Sequence, residues 1–186
     1  MIRRPRYNRV VDMNLQRRQK GFSLIEVLVS VVIMSVGILG VAGMQVLSLQ
    51  QNRSALLRAD ALQLGNDILD RMRVNRAQIY AGIEFTDTPG NTDSCITSNC
   101  TPAKMKDYDI ALWQCSINST ASDGSTHPIC SAWQVAGALP GGEGAIVDNV
   151  GNALCTVQLG EVCVVVRWID TGSGGFSSVS LRTRTD

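Results

Sequence analysis

The sequence predicts an α+β chain in which one long amino-terminal helix precedes a small antiparallel sheet domain closed by disulfides. Three observations predict it. No proline interrupts residues 22–88, and apolar residues recur at helical spacing well past the first apolar stretch. The last third turns to Val-rich or alternating segments separated by Gly, Asn and Asp, as short paired strands require. Six cysteines, an even number, all lie beyond the first apolar stretch, which suits cross-links in an oxidising compartment.

The first 21 residues are strongly basic. Arg3, Arg4, Arg6, Arg9, Arg17, Arg18 and Lys20 stand against Asp12, giving +6, while ten cations and fifteen acids leave −5 for the remainder and +1 for the whole. The positive-inside rule keeps such a segment cytoplasmic and sends the carboxyl-terminal part across the membrane. Met13 is a second candidate start and still leaves a basic leader. From residue 22 to 52 the only charge is Glu26. A hydrocarbon core about 30 Å thick needs about 20 apolar residues as helix, so residues 22–44 suffice to span. A carboxylate at mid-membrane costs roughly 2.5 to 3.5 kcal/mol and calls for a cationic partner, yet the segment has no Lys or Arg. A cut between Gly21 and Phe22 would supply an α-amino group four residues from Glu26, about 6 Å along a helix. The plainer alternative is a carboxylate that reaches the interface by snorkelling. Such a cut precedes the apolar stretch, unlike that of a secretory signal peptide.

The run Gly21-Phe22-Ser23-Leu24-Ile25-Glu26, behind a basic leader and ahead of one hydrophobic helix, resembles the class III signal of type IV pilins and type II secretion pseudopilins. The resemblance implies a pilin-like fold whose long helix spans the membrane in its first half and packs on the sheet domain in its second. It also implies that a prepilin peptidase cuts after Gly21 and methylates Phe22, and that Glu26 neutralises a neighbouring subunit's amino terminus. Residues 138–144, 164–170 and 38–45 are similar to PilV-type minor pilins, whereas residues 84–130 resemble nothing. That narrower resemblance implies a minor subunit that primes assembly at or near a pilus tip and supports adhesion and twitching motility. Its implied partners are the prepilin peptidase, other minor pilins and the major pilin, the inner-membrane assembly platform, a tip adhesin and membrane lipid. Its implied location is the inner membrane, single-pass with a periplasmic carboxyl-terminal domain, and then the pilus. A minor pseudopilin of a type II secretion system and a solitary membrane-anchored binding domain are the alternatives.

The helical pattern continues beyond the apolar stretch. Leu57, Ala61, Leu64, Ile68 and Met72 form one stripe, with Arg58, Asp67, Arg71 and Arg73 opposite and Asp67 and Arg71 spaced for an ion pair. The helix is expected from about residue 23 to about 80, near 87 Å long, with Gly82 as its stop. Gly37, Gly40 and Gly43 either let helices approach closely in a membrane or make local unwinding cheap. Many major pilins carry proline where this chain has Gly43. The expected organisation is a leader at 1–21, an apolar helix half at 22–52 and a domain at 53–186. That domain comprises an amphipathic helix half at 53–80, loop and short helices at 81–143 and a sheet at 144–186.

Within the domain, residues 84–104 read as a polar loop, 109–114 as a short helix with Leu112 and Trp113 inward, 118–128 as exposed, and 131–138 as a second short helix. Strands are expected at 144–150, 153–159, 162–169 and 176–183, with 162–168 central. Six cysteines allow 15 pairings. The sequence-local set is the expectation: Cys95 with Cys100, Cys115 with Cys130, and Cys155 with Cys163, the last stapling a hairpin around Leu159-Gly160.

No C-x-x-C occurs and His127 is the single histidine, so no metal or other cofactor is expected. Asp123, His127 and nearby serines supply triad residue types, but no Gly-x-Ser-x-Gly elbow is present, and no catalytic residue is assigned. Asp107 and Asp109 read as solvated or capping groups. The 171–175 loop reads as a hairpin connection, because neither a Lys nor a helix comes after it. Net −5 beyond the leader argues against a nucleic-acid partner. No glycans are assigned to Asn52, Asn99 or Asn118.

Overall fold

The computed structural model describes residues 21–96, 98–149, 155–170 and 174–184. Most of the expected leader, the start of the expected strand at 153–159 and residues 171–173 lie outside them. The chain divides into two compact units between Gln45 and Val46.

α1 (Leu24–Val74) is one continuous helix of 51 residues that runs through that division. Its first turn is anchored on the Ser23 carbonyl, which accepts from the N–H groups of Glu26 at 3.0 Å and Val27 at 3.3 Å. It ends at Val74, earlier than the expected 80. There the Asn75 N–H still closes on the Arg71 carbonyl at 3.0 Å, while the Asn75 side chain donates to the Pro102 carbonyl at 2.8 Å. The chain must leave the helix at this point to bring Tyr80 into the core, where it is 2% exposed. Gly82 does not stop the helix. Its φ of +89° suits glycine, and its N–H donates to the Ile146 carbonyl at 2.9 Å, opening the bridge between Ile83 and Ile146.

α2 (Pro102–Ile117) is longer than the expected 109–114. Thr101 caps it by accepting from the Lys104 N–H, and Pro102 occupies the first turn, where its missing N–H costs nothing. Trp113 is fully buried, and Leu112 is only half-buried. α3 (Pro128–Ala132) starts before the expected 131 and stops after five residues. Gln134 takes a left-handed φ of 56°, and the Val135 N–H turns back to the Cys130 carbonyl at 2.9 Å.

Three strands form the sheet: β1 (Glu143–Val147), β2 (Glu161–Asp170) and β3 (Gly175–Arg184). They run antiparallel in the order β1-β2-β3, with Ala145 opposite Val165 and Val165 opposite Ser180. β2 is central, as its Val-rich sequence predicts. The expected fourth strand does not form in its described part. Residues 155–158 pair with no strand, and Cys155 and Val157 cover the outer sheet face together with Val147, Cys163, Val165 and half-buried Phe85. The inner face, with Ile146, Val164, Val166 and Trp168, packs in one cluster with Ala61, Ile68, Leu69 and Met72 of α1 and Trp113 of α2. Disulfides join Cys95 to Cys100, Cys115 to Cys130 and Cys155 to Cys163. The third ties the outer layer to β2.

Glycine at 144 is required by packing. A Cβ there would lie 2.5 Å from the Trp113 indole and 2.7 Å from Ile117. Gly144→Val is therefore expected to cost about 2 kcal/mol through overpacking, read as a lower denaturation midpoint of the full chain in detergent. Peptide mapping of the unreduced protein should return the three disulfides and no free thiol.

Candidate functional site

Phe22 and Glu26 lie at the amino-terminal end of α1, where the helix dipole favours a carboxylate. Phe22 is 83% exposed, and no ion pair reaches Glu26 among the described residues. The Ser30 and Ser35 hydroxyls donate back to the carbonyls of Glu26 and Val32, each at 2.7 Å, so neither serine presents an unmet donor to an apolar medium. Every residue from 21 to 50 is exposed. The most apolar window of α1 has a mean hydropathy of 2.6, and none of it is buried among the described residues. At Gly37, Gly40 and Gly43 an added Cβ would meet nothing within 4 Å. Nothing among the described residues requires glycine there, and α1 stays helical across all three.

A second polar arrangement braces α1 within the domain. Asp109 is 4% exposed, and its carboxylate accepts from the Tyr80 hydroxyl at 2.7 Å and from Arg71 at 2.9 Å. It is neither a solvated nor a capping group. A buried carboxylate needs such partners to offset its lost hydration. Arg71 also meets Asp67 at 2.9 Å, the expected pair. Burial alone would lower the Arg71 guanidinium, but hydrogen bonds to Asp67 and Asp109 outweigh it and leave it raised. Burial pushes the Tyr80 phenol well above its usual range, and its hydrogen bond to Asp109 adds to this. Trp113 completes the brace by donating its indole N–H to the Leu64 carbonyl at 2.9 Å.

Sequence reading also missed Arg167. Its guanidinium lies 3.9 Å from the Phe85 ring centroid and 4.6 Å from that of Phe176, and it is ion-paired with Glu143. Alternation along β2 places it opposite the covered core face, but nothing in the spacing names its partners. Ser54 likewise donates to Asp170 at 2.9 Å across 116 residues of sequence.

The triad residue types do not assemble. Asp123 Oδ1 accepts from the Ser125 hydroxyl at 2.6 Å and the Ser125 N–H at 2.9 Å, and these bonds hold Asp123 below the usual carboxylate range. No hydrogen bond joins it to His127 among the described residues. No group of three or more His, Cys, Asp or Glu placed to hold a metal occurs among the described residues.

Residues 16–42 match the prokaryotic N-terminal methylation motif, and residues 43–111 match the family described as type IV pilin Tt1218. The fold and these matches together support a type IV pilin. The second match runs through the 84–104 loop and into α2, so the pilin likeness reaches into the 84–130 stretch, where the sequence motifs give none. No curated protein and no solved structure matches the chain. A methylation motif of this kind implies processing by a prepilin peptidase and assembly with pilins, and the apolar helix fits membrane anchoring.

Asp109→Asn is expected to destabilise the domain by about 2 kcal/mol, since charge-assisted bonds to Arg71 and Tyr80 are lost. Tyr80 has a further signature. A phenol raised in the folded state stabilises fully below its unfolded value of 10.0, and that contribution fades as pH rises from there toward the folded value. Stability should therefore fall above about pH 10 in the parent chain and fall less in Tyr80→Phe, measured by urea denaturation across that range.

Proposed function

We propose that this chain is a minor pilin of the PilV type, a non-enzymatic, low-abundance subunit of a type IV pilus. The observation that carries this reading is Glu26, a lone charge in the first turn of a helix whose most apolar window is unburied among the described residues. A prepilin peptidase cuts between Gly21 and Phe22 and methylates Phe22, leaving a cation beside an acid that has no ion-pair partner among the described residues. The precursor sits in the inner membrane with its basic leader in the cytoplasm and its disulfide-bonded domain in the periplasm. On assembly the helix leaves lipid for a bundle of pilin helices, where apolar packing replaces lipid contact and Glu26 meets the amino terminus of a neighbour. Gly37, Gly40 and Gly43 allow the close helix approach that such a bundle needs, and glycine at 43 permits local unwinding without proline. In this reading the subunit belongs to a priming complex with other minor pilins at or near the tip, working with the assembly platform and a tip adhesin.

The similarity of residues 138–144 and 164–170 to PilV-type pilins favours the pilus over a type II secretion pseudopilus. The deletion phenotype separates them: loss of surface pili supports the pilus reading, and exoproteins trapped in the periplasm support the secretion reading.

Mass spectrometry of the cellular protein should show a mature amino terminus at methylated Phe22. Gly21→Leu should leave the precursor uncut in the inner membrane. Glu26→Val should insert normally but be depleted from sheared pili. Normal processing of the first variant or full incorporation of the second would overturn the corresponding step.

A further inference from the structure

β3 is the outer strand of the sheet, and among the described residues no strand pairs with its far side. Along this ten-residue strand alternate residues turn their N–H and C=O groups to the free side. Natural sheets blunt such edges with proline, lysine, a bulge or a very short strand. None of these devices appears in 176–181, where Phe176-Ser177-Ser178-Val179-Ser180-Leu181 has no charge and no proline. The register against β2 runs without a bulge from Glu161 opposite Arg184 to Asp170 opposite Gly175.

The helix surface that flanks this edge is fixed by Gly65, against which Leu181 packs. On α1, Arg58, Leu62, Leu69 and Arg73 lie seven, three, four and eight residues from Gly65, spacings that keep them beside it on the helix, and Arg76 lies in the turn after α1. Leu62 keeps 37% of its surface exposed. Arg58, Arg73 and Arg76 are exposed, as are Arg182 and Arg184 at the end of β3. Arg73 pairs with Asp70, but the other four have no carboxylate partner among the described residues. A cavity of about 530 Å³ opens where the strand ends, with Arg73, Arg76 and Arg184 in its lining beside Ile79 and Leu159. Those two apolar side chains are 76% and 92% exposed. Asp148 and Glu161 also line the cavity, and Glu161 is turned to the Gln158 N–H at 3.0 Å. On a chain that carries −5 beyond residue 21, five exposed arginines thus lie along α1, the turn after it and the end of β3, with Arg182 donating to the Thr156 carbonyl at 3.0 Å and Arg76 to the Arg73 carbonyl at 3.1 Å.

We propose that β3 accepts an extended acidic peptide segment of a partner protein as a fourth strand. Main-chain hydrogen bonds to the free edge supply affinity, and uncharged side chains lie along 176–181. Carboxylates at one end of the segment meet the arginines at the cavity. This mode of recognition uses an edge already built for it. A second copy of this chain would set arginine against arginine, and the basic residues 1–20 would do the same. Nucleic acid would find the arginines but leave the main-chain row unused. The inference goes beyond the pilus reading and does not depend on cleavage at Gly21.

The test titrates the full chain in detergent with a short fluorescent peptide of alternating Thr and Val closed by a run of Glu. Anisotropy follows binding, and hydrogen exchange follows the β3 amides. The expected result is saturable binding with slowed exchange over 176–184. It should weaken about tenfold or more in the exposed double variant Arg76→Glu/Arg184→Glu, whose circular dichroism is unchanged. The same peptide with an N-methylated backbone should not bind. Absence of saturable binding, binding without new protection of β3, undiminished binding by the charge-reversed variant, or displacement of the peptide by duplex DNA would each overturn the proposal.

Discussion

Burial of one stripe of α1 is the constraint from which the domain is built. Ala61, Gly65, Ile68 and Met72 face inward, and each element of the domain is placed by what it puts against that stripe. Leu181 of β3 fills the space that Gly65 leaves, since a Cβ there would collide with it. Trp113 of α2 is held by its bond to the Leu64 carbonyl, and Gly144 of β1 makes room for its ring. Large and small residues thus alternate across the interface, so that the sheet and α2 both reach a helix that offers them only one face.

Polar contacts fix the register of this apolar packing. A hydrophobic stripe tolerates sliding by a turn, but a buried carboxylate does not. Asp109 must meet Arg71 and Tyr80 at once, which ties one position on α2 to one on α1 and to the segment that leaves it. Arg167 does the same for the outer layer. It is held between Phe85 and Phe176 and paired with Glu143, so one side chain of β2 engages both neighbouring strands and the loop after α1. Among the described residues, the buried Trp168 Nε1 stands without a hydrogen-bond partner, and no arrangement of nearby groups explains it.

Periodicity and punctuation account for the parts of the fold that were legible in the sequence. The helix stripe, the central β2 and the hairpin partner β3 are visible because their spacing or Val content is local information. The sequence-local disulfides obey the same logic. The end of α1 was not visible, because residues 75–80 continue without proline or glycine, and the stop is imposed by Tyr80 reaching a carboxylate 29 residues away. Asp109 looked solvated for the same reason: its partners are distant in sequence, and acids are seldom buried without them. The strand expected at 153–159, which does not form in its described part, shows the reverse error. Alternating residues suit a strand, but Cys155 and Val157 spend that alternation on covering the sheet instead of extending it. In the candidate assembly site, Gly21, Phe22 and Glu26 were legible as a motif, since one charge in an apolar run needs no tertiary structure to be noticed. The polar brace and the arginine-flanked edge were not legible, since both are assembled across the fold.

The exposed first half of α1 bears on whether one acid is compatible with a membrane at all. Residues 22–41 contain thirteen Val, Ile, Leu or Phe residues and one carboxylate. On insertion scales these apolar side chains contribute roughly 4 to 8 kcal/mol in favour of the bilayer. A carboxylate at the centre opposes this by about 3 kcal/mol, and by less near an interface, which is where the first turn of such a helix lies. The apolar term wins, so Glu26 does not prevent anchoring. Its cost is nevertheless larger than that of any neutral residue at the same position, and anchoring alone supplies nothing to offset it. A carboxylate kept under those terms makes physical sense when a second environment offers it a cation. The exposed serines on the same stretch carry no such requirement, because their hydroxyls are already satisfied by the helix backbone.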